Sequence, residues 1–112
     1  MLEDKLEIIK LIDVYGNMLT KTKIEILKEY YFMDISLGEI AEVRNISRQA
    51  VHDSIVKSLE KLKKYESELK IIYKQRLLKT YFKELLLQNK ITQLEYERVI
   101  SIVEEWWQYF QI

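Results

Sequence analysis

Arg48, Gln49 and His52 stand close together just after Ser47, at the start of a long stretch with helical spacing. Arginine can pair bidentately with guanine and glutamine with adenine, so a solvent-facing first helical turn carrying both suits base edges in a DNA major groove. Arg44, Lys57, Lys61 and Lys64 add cations to the same stretch, of the kind that hold phosphates. Other chemistries find little support. His52 is the only histidine and cysteine is absent, so a metal centre is not expected. No nucleophile accompanies a base, and there is no glycine-rich phosphate loop or paired-carboxylate signature. Glu3, Glu7 and the Glu104-Glu105 pair read as solvated helix faces. Neither an enzymatic activity nor a cofactor is expected.

The elements that must position these side chains lie between residues 36 and 57, and their order spells a helix-turn-helix. Ser36 with Glu39 three residues on is a capping box, which starts a short helix running to about Arg44. Two helices crossing steeply need a small residue where they touch, and Ala41 supplies it. The turn needs a residue that tolerates positive φ, which Asn45 does better than any residue but glycine. Ile46 is expected to plug the corner, and Ile40, Val51 and Ile55 to form the buried inner face. Ser47 then caps the second helix. Candidate nucleic-acid-binding residues are therefore Arg44, Ser47, Arg48, Gln49, His52, Lys57, Lys61 and Lys64. Arg44 breaks the pattern, because an apolar residue usually faces inward there. Either Val43 takes over that packing, or Arg44 reaches outward and joins the basic face.

The rest of the chain also reads as helix. It has two glycines and no proline, too few for the turns a sheet would need. Leu6, Ile8, Ile9, Leu11, Ile12 and Val14 mark a first helix over about 3–15, with Gly16-Asn17 expected to supply a left-handed residue at its end. Thr20 or Thr22 caps a second, over about 21–32. The helix after Ser47 has no glycine or proline to stop it, and residues 47–87 fit one helix or two, with a weak break signal at Glu66-Ser67-Glu68. Residues 71–87 are apolar on several sides, so this helix needs more than one cover. Asn89-Lys90 ends it, and Thr92 with Glu95 forms a second capping box before a last helix over about 93–109. An all-α fold follows. A helix-turn-helix module without a wing is expected over 1–65, and a helical hairpin over 66–112 that serves dimerisation. Tyr81, Phe82, Trp106, Trp107 and Phe110, with Tyr109, either close the hairpin's core or line an interface between two copies. A homodimer would set two recognition helices about one helical turn of DNA apart.

Formal net charge is zero, but the sum conceals a pattern. Residues 1–43 hold five lysines against nine acids, residues 44–83 hold eleven basic residues against four acids, and residues 84–112 hold two against five. A basic middle between acidic ends is compatible with a polyanionic partner. The absence of cysteine, an N-terminus unlike a secretory signal, and the lack of any apolar run near the ~20 residues of a membrane span make a cytoplasmic protein the expectation.

Four segments carry a family resemblance: Tyr15-Gly16-Asn17-Met18-Leu19-Thr20, Tyr30-Tyr31-Phe32-Met33-Asp34, Ser36-Leu37-Gly38-Glu39-Ile40-Ala41 and Ser47-Arg48-Gln49-Ala50-Val51. Over roughly residues 6–70 the chain resembles the YlxM family, small bacterial helix-turn-helix proteins associated with the signal recognition particle. The same core is similar to the promoter-reading domain of sigma factors. The resemblance implies a cytoplasmic bacterial protein with a regulatory role or a role in the signal recognition particle pathway. Duplex DNA is the expected partner. The alternative is an adaptor that contacts the particle's RNA or protein, its helix-turn-helix being structural. Arg44 and His52 depart from the family pattern, which favours an apolar residue at the first position and an aromatic such as tyrosine at the second.

Overall fold

A computed structural model describes residues 4–105 of the chain. Six α-helices follow one another: α1 (Lys5–Tyr15), α2 (Lys21–Tyr31), α3 (Leu37–Arg44), α4 (Arg48–Leu69), α5 (Ile71–Leu87) and α6 (Gln93–Glu105), with a 3₁₀ turn, Gly16–Met18, between the first two. No strand occurs among the described residues, and the fold is all-α as expected. The chain divides between Leu69 and Lys70 into two units. This division lies about a turn beyond residue 65, because α4 continues unbroken to Leu69.

The first unit is set by local signals that agree with its packing. The Asp4 side chain accepts from the Leu6 amide at 3.0 Å, and the Thr20 hydroxyl accepts from the Lys23 amide at 3.4 Å, so α1 and α2 both start on a side-chain cap. Ile8, Ile12 and Tyr15 of α1 meet Ile26 and Leu27 of α2 and Val51, Ile55 and Leu62 of α4 in a core that water does not reach. Each such aliphatic side chain contributes roughly 1.5–3 kcal/mol by leaving water. The Tyr15 hydroxyl also donates to the Glu66 carboxylate, with the Tyr65 ring 6.2 Å from its own, which ties the far end of α4 to α1. Gly16 corrects one expectation. Its φ of −55° and ψ of −38° are right-handed, not left-handed. It is needed for closeness instead, since a Cβ there would stand 2.8 Å from Ile24 Cδ1.

Residues 47–87 form two helices. The break comes at Lys70, with φ 55° and ψ 34°, beyond the Glu66-Ser67-Glu68 stretch. In the second unit, α5 and α6 form the expected helical hairpin. Asn89 (φ 56°) turns the chain out of α5, and the Lys90 amide donates back to the Leu85 carbonyl at 2.9 Å. The capping box on α6 is reciprocal: the Glu95 amide donates to the Thr92 hydroxyl at 3.1 Å, and the Thr92 amide to the Glu95 carboxylate at 2.9 Å. The bond from the Thr92 amide foremost, and the Thr92 hydroxyl after it, hold the Glu95 carboxyl below the ordinary glutamate range. The buried Gln75 amide donates to the Val103 carbonyl at 2.8 Å, and Lys79 pairs with Glu104 at 2.9 Å. Tyr81 and Phe82 meet edge to face at 5.6 Å, with Tyr81 exposed and Phe82 half-buried. Trp106, Trp107, Tyr109 and Phe110 lie outside the described residues.

Candidate nucleic-acid interface

Helix α3 starts on Ser36, whose hydroxyl accepts from the Glu39 amide at 3.1 Å. It ends on Asn45, which adopts the left-handed conformation (φ 56°, ψ 44°) that its place in the turn demands. The Ile46 amide then donates to the Ala41 carbonyl at 3.0 Å. Ser47 Oγ accepts from the Ala50 amide at 3.0 Å and so begins α4. Ile40, Ala41, Val51 and Ile55 are buried between the helices as their types predict. Ile46 is not the corner plug: the residue is 43% exposed. The corner is closed by the backbone bond to Ala41 and by the inner face.

Arg44 follows neither course expected of it. Val43 is 84% exposed and packs nothing in its place. Arg44 turns back onto α2, its Nε and a terminal nitrogen meeting the Glu29 carboxylate at 3.1 and 2.8 Å, and Glu25 at 3.3 Å. These bonds, those to Glu29 first, raise its pKa further above the usual arginine value. The guanidinium is therefore a clamp between α3 and α2, and its charge is answered by Glu29 and Glu25 within the unit. The sequence could not show this, because the partners lie fifteen and nineteen residues away.

On α4, Arg48 and Gln49 are exposed. The Gln49 amide nitrogen donates to Asp53 Oδ1 at 2.9 Å, so the glutamine is already held by an acid one turn on. His52 is only partly exposed; its Nδ1 lies 3.7 Å from the Asp53 carboxylate, beyond hydrogen-bonding reach, and is itself buried. Helical phase sorts the rest. At about 100° per residue, Val51, Ile55, Ser58, Leu59 and Leu62 mark the inward side, with Leu59 reaching round to the phase of Arg48 and His52, and Gln49, Asp53 and Glu60 stand near the middle of the outward arc. Arg48 and His52 lie on one flank, while Lys57, Lys61 and Lys64 lie together roughly 160–220° round the helix from Arg48. The candidate set thus separates into a first-turn group, a lysine flank and the withdrawn Arg44, with two acids between the flanks.

One residue was not legible as part of this surface. Lys23 of α2 is half-exposed, and the Lys61 ammonium beside it, assisted by burial and by Lys57, holds its pKa below the usual lysine value. Neither Lys23, Lys57 nor Lys61 pairs with an acid among the described residues. A faint signal existed: Lys23 precedes the buried Ile26 and Leu27 by three and four residues, which puts it on the side of α2 that faces its neighbours.

No group of three metal-ligating side chains gathers among the described residues, and none of their helices is long and apolar enough to cross a membrane. The capped α3, the left-handed turn at Asn45 and the α4 start on Ser47 define a helix-turn-helix protein. The chain belongs to the family described as "Putative helix-turn-helix protein, YlxM / p13 like", which it matches over residues 2–104. The match runs well beyond residue 70 and includes the α5–α6 hairpin. A UPF0122 protein of Malacoplasma penetrans is 46% identical over 91 residues, covering 81% of this chain and 85% of the relative. A UPF0122 protein of Bacillus mycoides is 36% identical over 109 residues, 94% of this chain and 98% of its own. One from Clostridium acetobutylicum is 30% identical over 109 residues, 93% and 94% of the two chains.

Proposed function

We propose that this chain is a non-enzymatic, cytoplasmic regulatory protein that binds duplex DNA through the first turn of α4. Arg48 and Gln49 reach base edges with His52 beside them, and Lys57, Lys61 and Lys64 lie against phosphates. The observation that carries the reading is the presentation of Arg48. The left-handed Asn45 and the Ser47 cap set it in an exposed first turn, and no acid pairs with it among the described residues. The protein acts as a homodimer joined through the hairpin. In support, Leu77, Leu78 and Tyr81 of α5 are 51%, 39% and 57% exposed, an apolar face that a second copy would cover. A dimer also matches the pseudo-twofold symmetry of the sites such units read.

The test is a gel shift of the full chain on a library of duplexes, followed by sequencing of the bound fraction. Arg48→Ala is expected to cost the preferred sequence about 1–3 kcal/mol and to relax the base preference at one position. Equal loss on every sequence would reduce Arg48 to a phosphate contact.

A second reading is favoured by the acids of α4. Asp53 and Glu60, in the middle of the outward arc, oppose deep insertion of the helix body into a groove lined by phosphates. A partner recognised by shape and backbone alone would suit them better, such as the RNA of the signal recognition particle, whose A-form major groove admits no helix. On that reading the chain is an adaptor in the particle's pathway. Competition of the particle's RNA against duplex DNA at one salt concentration separates the two.

A further inference from the structure

We propose that α5 pairs antiparallel with α5 of a second copy of this chain, Lys74 of each facing Glu84 of the other. The proposal rests on the reading of the chain as a homodimer joined through its hairpin, and it fixes the contact and the direction of that joint. Within the hairpin, α5 turns one side to α6, where Gln75 bonds to Val103 and Lys79 to Glu104. Ile72 on the same side is buried, and Phe82 and Leu86 are half-buried. Lys74, Leu77, Tyr81 and Glu84 follow one another at steps of three, four and three. That spacing gathers them in an arc of about 80°, roughly 160° round the helix from the α6 side. All four are exposed, and Leu78 and Leu85 border the arc along one edge. An apolar centre between two opposite charges is thereby turned to solvent.

The charges decide what fits this face. Glu84 is the only acid of α5, against Lys74, Arg76, Lys79 and Lys83. Lys79 pairs with Glu104 and Lys83 lies over the Tyr96 ring, whereas Lys74 and Glu84 have no ion pair among the described residues. They stand about 15 Å apart along one helix, so they cannot meet each other within a chain. In an antiparallel pair of identical helices, residues equally far from the centre face each other across the twofold axis. With the centre at position 79, Lys74 meets Glu84 and Leu77 meets Tyr81, and each pair occurs twice. A parallel pair would instead set lysine against lysine and glutamate against glutamate, which repel. A second copy therefore fits the face in one direction only. So short a seam buries less than a standard interface, and the dimer is expected to be reversible.

Sedimentation equilibrium of the full chain, between about 1 and 100 µM, reads the pairing. Lys74→Glu and Glu84→Lys each turn two facing pairs from attraction to repulsion. A pair contributes about a factor of two and its like-charged counterpart costs as much, so each variant should weaken its dimer roughly 15-fold. The double variant Lys74→Glu/Glu84→Lys restores both pairs and should return to the wild-type constant. Mixing the two single variants should give a heterodimer as tight as the wild type, because one chain then carries acids at both ends of the arc and the other carries lysines. Circular dichroism checks that each variant keeps its helices. Single variants that dimerise like the wild type, or a mixture without preference for the heterodimer, overturn the antiparallel pairing. If Leu77→Gln still separates the copies in that case, the hairpin joint stands. A wild-type chain that is monomeric at about 100 µM overturns both, and leaves the face to residues 106–112 or to a different protein.

Discussion

Replacing Arg44 with alanine separates a clamp from a phosphate contact. The guanidinium makes two bonds to Glu29 and a longer one to Glu25, with side-chain exposures of 21% for Arg44, 22% for Glu29 and 43% for Glu25. A hydrogen bond to a charged group contributes about 1.5–3 kcal/mol net, and the lower end applies where both partners keep some water. The Glu25 arm is solvated and adds roughly 0–1 kcal/mol. Arg44→Ala should therefore destabilise the first unit by about 2 kcal/mol, which for a domain of this size lowers its melting temperature by roughly 8–16 °C. Urea unfolding of Arg44→Ala, Glu29→Ala and the double variant should return a coupling energy of about 1 kcal/mol. Duplex affinity of the folded Arg44→Ala protein should keep its salt slope, because a charge already answered by Glu29 releases no counterions. Unchanged stability together with a slope reduced by about 0.9, the share of one phosphate contact, would refute the reasoning and return Arg44 to the interface.

Asp53→Asn should raise affinity for duplex of any sequence by several fold while blurring base preference, since it removes a repelling charge and loosens the hold on Gln49; anisotropy titrations on two unrelated duplexes check this. Gly16→Ala should destabilise by about 1 kcal/mol, at the low end for overpacking, because the obstacle is the flexible tip of Ile24. Calorimetry reads it. The folded Glu95 carboxyl titrates below its unfolded value, so its contribution to the hairpin is present above the unfolded pKa and is lost as pH falls through the folded one. NMR titration of the Glu95 carboxyl, with Thr92→Ala moving it back toward the ordinary range, tests that sign.

Much of the fold was legible because its signals are local. Ser36 with Glu39, Thr92 with Glu95, the Ser47 cap and the left-handed Asn45 each act within three residues, and each is found where its type and spacing place it. The break at Lys70 was not legible, since lysine carries no preference for positive φ, while the polar run before it simply continues as helix. Ile46 and Gly16 were assigned sound roles by type, yet a backbone bond to Ala41 closes the first corner and crowding by Ile24 explains the second. The candidate interface was legible only along α4. What lies across from that helix depends on tertiary packing: Glu25 and Glu29 withdraw Arg44, and Lys23 joins Lys57 and Lys61 from a segment whose net charge is negative.

The most direct test of the central claim is a salt titration of the full chain on labelled duplex DNA, with and without Arg48→Ala. With Lys57, Lys61 and Lys64 against phosphates, the slope of log affinity against log salt should be about −2.7. Arg48→Ala should cost the selected sequence about tenfold or more. No binding at about 50 mM salt, or a slope near zero, would contradict the claim that this helix-turn-helix meets nucleic acid.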